Sequence, residues 1–231
     1  MLEVRNLDLH YGQSQILYDV SFSASQGQIT TLIGNNGAGK TSLLKAIAGR
    51  HPRSGGTVRL EGTDLRLASA VQAAQSGIAY VPQGREIFPL MSVKENLETG
   101  FACLPKAERR VPDEVFDLFP VLAQMIGRRG GDLSGGRQQQ LAIARALITK
   151  PRVLLLDEPT EGIQPNVIQQ IGDALRLLRN RGDMAIVLVE QNADFAHGLG
   201  DHFAVIEGGR VKRRTDRASY DKSMLIADLA L

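Results

Sequence analysis

The chain has 231 residues, 43% of them hydrophobic and 23% charged, with a formal net charge of +2. That length buries a full core, either as one large domain or as a core with insertions, and so balanced a charge implies no general affinity for polyanions. The single cysteine, Cys103, excludes an intramolecular disulfide and a cysteine-based metal site. The longest apolar runs, 153–156 and 185–189, fall far short of the ~20 residues that span a bilayer. The first residues lack a basic stretch followed by an apolar one, so any membrane role is expected to come through a partner.

Residues 2–9 alternate apolar and polar side chains (Leu2, Val4, Leu7 and Leu9, with one irregularity) and predict a half-buried strand. Residues 20–24 and 57–61 predict two more short strands of antiparallel type, framing the segment between them. That segment opens on an apolar, β-branched run, 29–33, expected to be a buried strand, and closes on helix-forming residues from Lys40 to Gly49. Between them stands Gly34-Asn35-Asn36-Gly37-Ala38-Gly39-Lys40-Thr41. Strand, glycine loop and helix in that order make a phosphate cradle. The glycines let backbone N–H groups turn toward a polyphosphate, and the helix start adds partial positive charge. Lys40 is placed to reach the β- and γ-phosphates and the Thr41 hydroxyl to ligate Mg²⁺, with Ser42 next in the same turn.

Residues 78–81 predict an apolar strand stopped by Pro82. From 84 to about 133 the pattern is helical and without strands: Ser92 and Glu95 form a capping box, and Pro112 stands in the first turn of a further helix beside two acids. Residues 141–148 form a strong helix, preceded by Leu133-Ser134-Gly135-Gly136-Arg137. Free N–H groups, the helix dipole and a hydroxyl make this a second anion site or, on its own, an ordinary serine cap with flexible glycines. The apolar strand 153–156 delivers Asp157 and Glu158 to its carboxyl end, the edge where ligands bind in open α/β sheets. An Asp there holds Mg²⁺ through its water shell. Because strand side chains alternate, Glu158 points elsewhere and is free to take a proton from an attacking water. An amphipathic helix over 167–179, with Ile168, Ile171, Leu175 and Leu178 on one stripe, and a strand over 185–189 follow. Apolar strands alternating with helices predict a parallel sheet covered on both faces. Residues 202–207 and 210–215, around Gly208-Gly209, predict a hairpin whose cluster from Arg210 to Arg214, with Arg217, reads as a solvated edge.

Four motifs in this order (34–41, the Gln83 loop, 133–137, and 153–158 with Pro159-Thr160) resemble the ATP-binding subunits of ABC transporters over essentially the whole chain. The resemblance implies an α/β fold: a P-loop NTPase core with a mainly parallel sheet, an N-terminal antiparallel β subdomain and a helical insertion. It implies one domain over 1–231, with 1–83 and about 134–231 as catalytic core and about 84–133 as helical subdomain. It implies ATP and Mg²⁺, and a head-to-tail pair in which ATP lies between the 34–42 segment of one subunit and Ser134, Gly135 and Gly136 of the other. Tyr11 matches the position that stacks on adenine, and Gln83 the residue that touches Mg²⁺ and the attacking water. The loop carrying Ile87 and Phe88 would meet a membrane partner, packing inside the helical insertion being the other reading. Further partners implied are two permease subunits and, indirectly, an external solute-binding protein, with no nucleic acid; the place implied is the cytoplasmic face of the membrane.

Two positions depart from the family pattern. Gln191 stands where a γ-phosphate-contacting His is usual, and Gln164 where an Asp usually reaches across the dimer. An amide still hydrogen-bonds a phosphate but carries no charge and relays no proton. Glu190-Gln191-Asn192 resembles the importer branch for branched-chain amino acids and urea. Residues 82–89 with 161–165 look most like the urea members, so urea is the expected cargo, with branched-chain amino acids or short amides as the alternative. A soluble ABC ATPase acting on nucleic acid or ribosomes would commonly carry two cassettes or a coiled-coil insertion, and no heptads occur here. His197, His202 and Cys103 read as structural.

Overall fold

The computed structural model describes residues 1–65 and 69–230. In chain order it comprises β1 (Leu2–Tyr11), β2 (Ser14–Ala24), β3 (Ile29–Ile33), α1 (Lys40–Ile47), β4 (Gly55–Leu60), β5 (Thr63–Asp64), α2 (Ala70–Gln75), β6 (Ile78–Val81), α3 (Val93–Glu98), α4 (Asp113–Leu118), α5 (Pro120–Gln124), α6 (Gly135–Ile148), β7 (Val153–Asp157), α7 (Pro165–Arg181), β8 (Ala185–Val189), α8 (Ala193–Leu199), β9 (His202–Glu207), β10 (Arg210–Asp216) and α9 (Lys222–Ala230). Among the described residues the strands form two sheets, one in the order β2-β1-β4-β5 and one in the order β10-β9-β3-β8-β7-β6. The first is antiparallel. In the second, β6, β7, β8, β3 and β9 run parallel, and β10 closes one edge antiparallel.

The central strands are apolar throughout because both faces of the parallel sheet are covered. Leu154, Leu156, Ile186 and Leu188 enter one core with α6 and α7, whereas Val153, Leu155, Ala185 and Val187 enter another with α1 and the antiparallel sheet. Alternate side chains of the same strand thus feed different cores. The irregularity in β1 is a register shift between Val4 and Leu7, with Asn6 at φ 51°, which keeps Val4 and Leu7 both buried.

Several elements differ from expectation at their ends. β1 and β2 run on to Tyr11 and back to Ser14, because each supplies the other's hydrogen bonds beyond the apolar stretch. The strand expected over 57–61 spans Gly55–Leu60, and Glu61 turns out of it at φ 51°. Pro112 precedes α4 and does not enter its first turn; Pro120 takes the N-terminal position of α5. Helices α2, α8 and α9 are too short or too weakly periodic to stand out in the sequence. Segment 84–133 is helical as expected, with one isolated bridge between Ser92 and Arg129.

The capping box at α3 is complete. The Ser92 hydroxyl accepts from Glu95 N at 3.2 Å, and the Glu95 carboxylate accepts from Ser92 N at 2.7 Å. Ser92→Ala is expected to destabilise the protein by about 1 kcal/mol, measured by urea unfolding, with Ser92→Thr near wild type.

Candidate active site

The carboxyl ends of β3, β8, β7 and β6 lie side by side at one edge of the parallel sheet. Leu32 pairs with Val189, Asp157 with Val189, and Val81 with Leu156. The loops leaving that edge begin at Gly34, Glu190, Glu158 and Pro82, so the ladder brings together groups far apart in sequence. A cleft of about 220 Å³ opens there, lined by Asn36, Gly37, the Gly39–Ser42 turn, Ile16, Gln83 and Glu158.

The glycine loop is shaped by close approach. A Cβ on Gly34, at φ 155°, would lie 2.2 Å from the Ile206 carbonyl oxygen, and one on Gly39, at φ 98°, would lie 2.6 Å from Leu17 Cδ2. Gly39 caps α1 in the left-handed region, so the N–H groups of Lys40, Thr41 and Ser42 begin the helix at the cleft. Lys40 is 5% exposed, and its ammonium donates to the Gly34 and Asn35 carbonyl oxygens, each at 2.7 Å. Burial lowers its pKa, opposed by the Glu158 and Asp157 carboxylates.

Asp157 ends β7 and is 1% exposed. The Thr41 hydroxyl donates to its Oδ1 at 3.1 Å, and the Tyr80 hydroxyl to its Oδ2 at 2.9 Å. Burial pushes the Asp157 carboxyl up, the two hydrogen bonds pull it down, and Glu158 adds to the rise. The Tyr80 phenol is pushed well above its ordinary range by burial and then by Asp157. Sequence reading missed Tyr80; the signal was a polar hydroxyl in an apolar strand that neighbours the Asp-bearing one.

Glu158 is turned away from Asp157, but not by strand alternation. β7 ends at Asp157, and Glu158 has left it at φ 48°, a left-handed backbone that a non-glycine residue adopts only where its surroundings enforce it. Its N–H donates to the Val189 carbonyl at 2.9 Å. Gln83 Nε2 donates to Glu158 Oε2 at 3.3 Å and to Glu161 Oε2 at 3.0 Å. Gln191 Nε2 donates to Glu158 Oε1, and to Asn36 Oδ1 at 2.9 Å. The structure thus gathers Lys40, Thr41, Gln83, Asp157, Glu158 and Gln191 with the loop residues Gly34 to Gly39.

Three predicted site features stand apart from this cleft. Tyr11 ends β1, 43% exposed, its ring tilted against His51 with centroids 4.2 Å apart. Ser134 precedes α6 but makes no capping hydrogen bond through its side chain, so its exposed hydroxyl is not used as an ordinary cap. Gly135 lies against Arg85 and Gly136 against Val167. Gln164 is exposed at the start of α7. Ile87 is half-buried and packs against the hydrophobic core, whereas Phe88, Leu90 and Met91 are exposed, with Arg145 over the Phe88 ring. His197 and His202 bond to the Tyr220 carbonyl and Gln28 side chain, as structural residues would. Lys212 and Arg213 of the basic cluster pair with Glu207 and Asp228.

Residues 17–161 match the family described as ABC transporter. The chain is 43% identical, over 212 residues covering 91% of both proteins, to the high-affinity branched-chain amino acid transport ATP-binding protein BraG of Pseudomonas aeruginosa. It is 37% identical, over 212 residues covering 91% of this chain and 90% of the relative, to the "Probable branched-chain amino acid transport ATP-binding protein LivF" of Archaeoglobus fulgidus. A solved structure described as the ATP binding subunit of an ABC transporter superposes with a TM-score of 0.85 at 25% identity, over 100% of both chains. The chain belongs to the ABC transporter family, as an ATP-binding subunit and an ATPase. The names of these relatives lend no support to urea and fall on the alternative cargo class. Among the described residues no helix is long and apolar enough to cross a membrane.

Tyr80→Phe keeps the ring and removes the donor to Asp157 Oδ2. It is expected to lower stability by about 1–3 kcal/mol, the cost of leaving a buried acceptor unserved, in urea unfolding; unchanged stability would mean that water replaces the hydroxyl.

Proposed function

We propose that this chain hydrolyses ATP, bound with Mg²⁺, to power an importer of branched-chain amino acids. The observation that carries the hydrolytic part is the placement of Glu158 between Gln83 and Gln191 at the mouth of the glycine-loop cleft. The N–H groups of residues 34–42 hold the phosphates, with the Lys40 ammonium among them. Thr41 Oγ1 and Asp157 Oδ1 are hard oxygen donors 3.1 Å apart. That donor set fits Mg²⁺, which takes few protein ligands and keeps water and phosphate oxygens for the rest. When bound, the ion supplies neutralisation of the β- and γ-phosphate charge. Glu158 accepts a proton from, and orients, the water that attacks in line, while Gln83 holds that water from the other side. Gln191, beside Asn36 of the loop, contacts the γ-phosphate as a neutral donor.

The rest of the reading concerns partners. The exposed Ser134 hydroxyl and the two glycines of α6 lie outside the cleft of their own chain, which supports their serving the cleft of a second such subunit, head to tail. Tyr11 offers an open aromatic face for adenine. We assign 1–231 to one domain with 84–133 as its helical subdomain. A groove of about 460 Å³ bordered by Arg50, Glu86, Phe88, Cys103 and Arg145 is where we place a permease, beside the exposed Leu90 and Met91. That docking puts the chain at the cytoplasmic membrane face, with a solute-binding protein acting from the other side.

Cargo is read from relatives, since an ATPase of this kind does not touch it. Two relatives carry branched-chain amino acid names. Urea is kept as the second reading because Gln83 stands where amino acid members tend to have Glu, and because 82–89 and 161–165 resemble the urea members.

Glu158→Gln is expected to bind ATP with affinity near wild type and to turn over roughly 10²-fold more slowly or less, in steady-state assays of the purified chain and of the assembled transporter; wild-type turnover would remove Glu158 from the reaction. Deleting the gene should abolish uptake of radiolabelled leucine and spare that of urea; the reverse result assigns urea.

A further inference from the structure

Glu190 directly follows β8 and is 2% exposed, yet the hydrolysis proposed above gives it no part. Its carboxylate accepts four hydrogen bonds from two loops. Oε1 takes the Thr160 N–H at 3.0 Å and the Thr160 hydroxyl at 2.6 Å. Oε2 takes the N–H groups of Gln191 and Asn192, each at 2.9 Å. Burial raises the Glu190 pKa above the ordinary carboxylate range, and these four donors oppose that rise without cancelling it. A carboxylate in that position costs several kcal/mol unless its lone pairs are filled, and an apolar side chain would end the strand without that cost. The group is therefore spent on joining the loop after β7 to the loop after β8.

What the clamp joins is specific. Thr160 lies two residues beyond Glu158, whose left-handed backbone starts that loop. Gln191, whose N–H is held at the other end, donates its side-chain amide to Glu158 and to Asn36. The chain from Glu158 to Thr160, the Glu190 carboxylate, and the Gln191 side chain close a ring back onto the Glu158 carboxylate. Within such a ring the Glu158 side chain cannot swing without breaking a charge-assisted bond.

We propose that Glu190 is a positioning residue for ATP hydrolysis, clamping Thr160 to the 190–192 turn so that Gln191 holds the Glu158 carboxylate toward the attacking water. The inference rests on the assignment of Glu158 as the base. Glu190→Gln keeps the shape, but an amide has one acceptor oxygen, so its NH₂ must face the donors of one loop. kcat is expected to fall about tenfold, as for a reacting group displaced by a lost charge-assisted bond. Affinity for a non-hydrolysable ATP analogue, by calorimetry, should stay within about twofold, since the phosphate-binding N–H groups are untouched. The two losses should not multiply: Glu190→Gln in a Gln191→Ala background should lower kcat by no more than about twofold further. If Glu190→Gln fails to fold, Thr160→Val, which deletes one donor, should lower kcat and Thr160→Ser restore it.

Losses of kcat that multiply in the double variant, analogue affinity that falls in step with kcat, or wild-type kcat in Glu190→Gln or Thr160→Val would overturn the inference. A wild-type chain that turns over normally while Glu158→Gln does too would instead overturn the base assignment beneath it.

Discussion

The site depends on a ladder of parallel hydrogen bonds. Because β6, β7, β8 and β3 run the same way and are paired in register, Val81, Asp157, Val189 and Ile33 all finish at one edge. The polar groups gathered there come from the last residues of these strands, as with Tyr80 and Asp157, and from the loops that leave them. Strands buried on both faces cannot slip by one position without exchanging the side chains that feed two different cores, so the positions of Gly34, Pro82, Glu158 and Glu190 are as firm as the cores themselves. The antiparallel sheet and α1 cover one face, α6 and α7 the other; of these, the α1 start brings Lys40, Thr41 and Ser42 to the cleft and β2 brings Ile16.

At that edge the protein buries charge, which apolar packing alone would never favour. Lys40, Asp157 and Glu190 are each nearly inaccessible, and each is held by named partners: two carbonyls for the ammonium, two hydroxyls for Asp157, four donors for Glu190. Filled in this way, buried polar groups rigidify a site where unfilled ones would destabilise it. Gln83 and Gln191 are exposed and Glu158 is half-buried, so these are the members placed to meet a ligand. Glu158 is the junction, because its backbone is forced into the left-handed region and its carboxylate is bonded from both sides.

Gln191 shows how a departure from a family pattern can be read physically. A neutral amide at that place puts no titrating imidazole there, but it donates to Glu158 and to Asn36, joining the proposed base to the glycine loop. Its backbone N–H in turn is held by Glu190, so a residue that reads as a weakened contact in sequence proves to be the middle of a network.

The sequence by itself determined the parts whose signals are local. The strand-loop-helix run through Lys40, the apolar strands at 78–81 and 185–189, and the capping box at Ser92 follow from spacing and side-chain type over a few residues, and the structure has them there. Strand ends were misread because pairing with a neighbour, not local propensity, decides where a strand stops, the position of Pro112 was off by the helix's first turn, and helices α2, α8 and α9 were missed because they are too short or too weakly periodic to stand out. Only the tertiary structure decided which groups meet. It brings Tyr80 to Asp157 across 77 positions and Gln191 to Asn36 across 155. It also turns Glu158 by a left-handed residue where alternation along a strand was expected, and makes Glu190 a clamp where the sequence offered only an acid after an apolar run. The physical reason is one and the same: a hydrogen bond between loops is set by strand order in the sheet, and strand order is not written in any short stretch of chain.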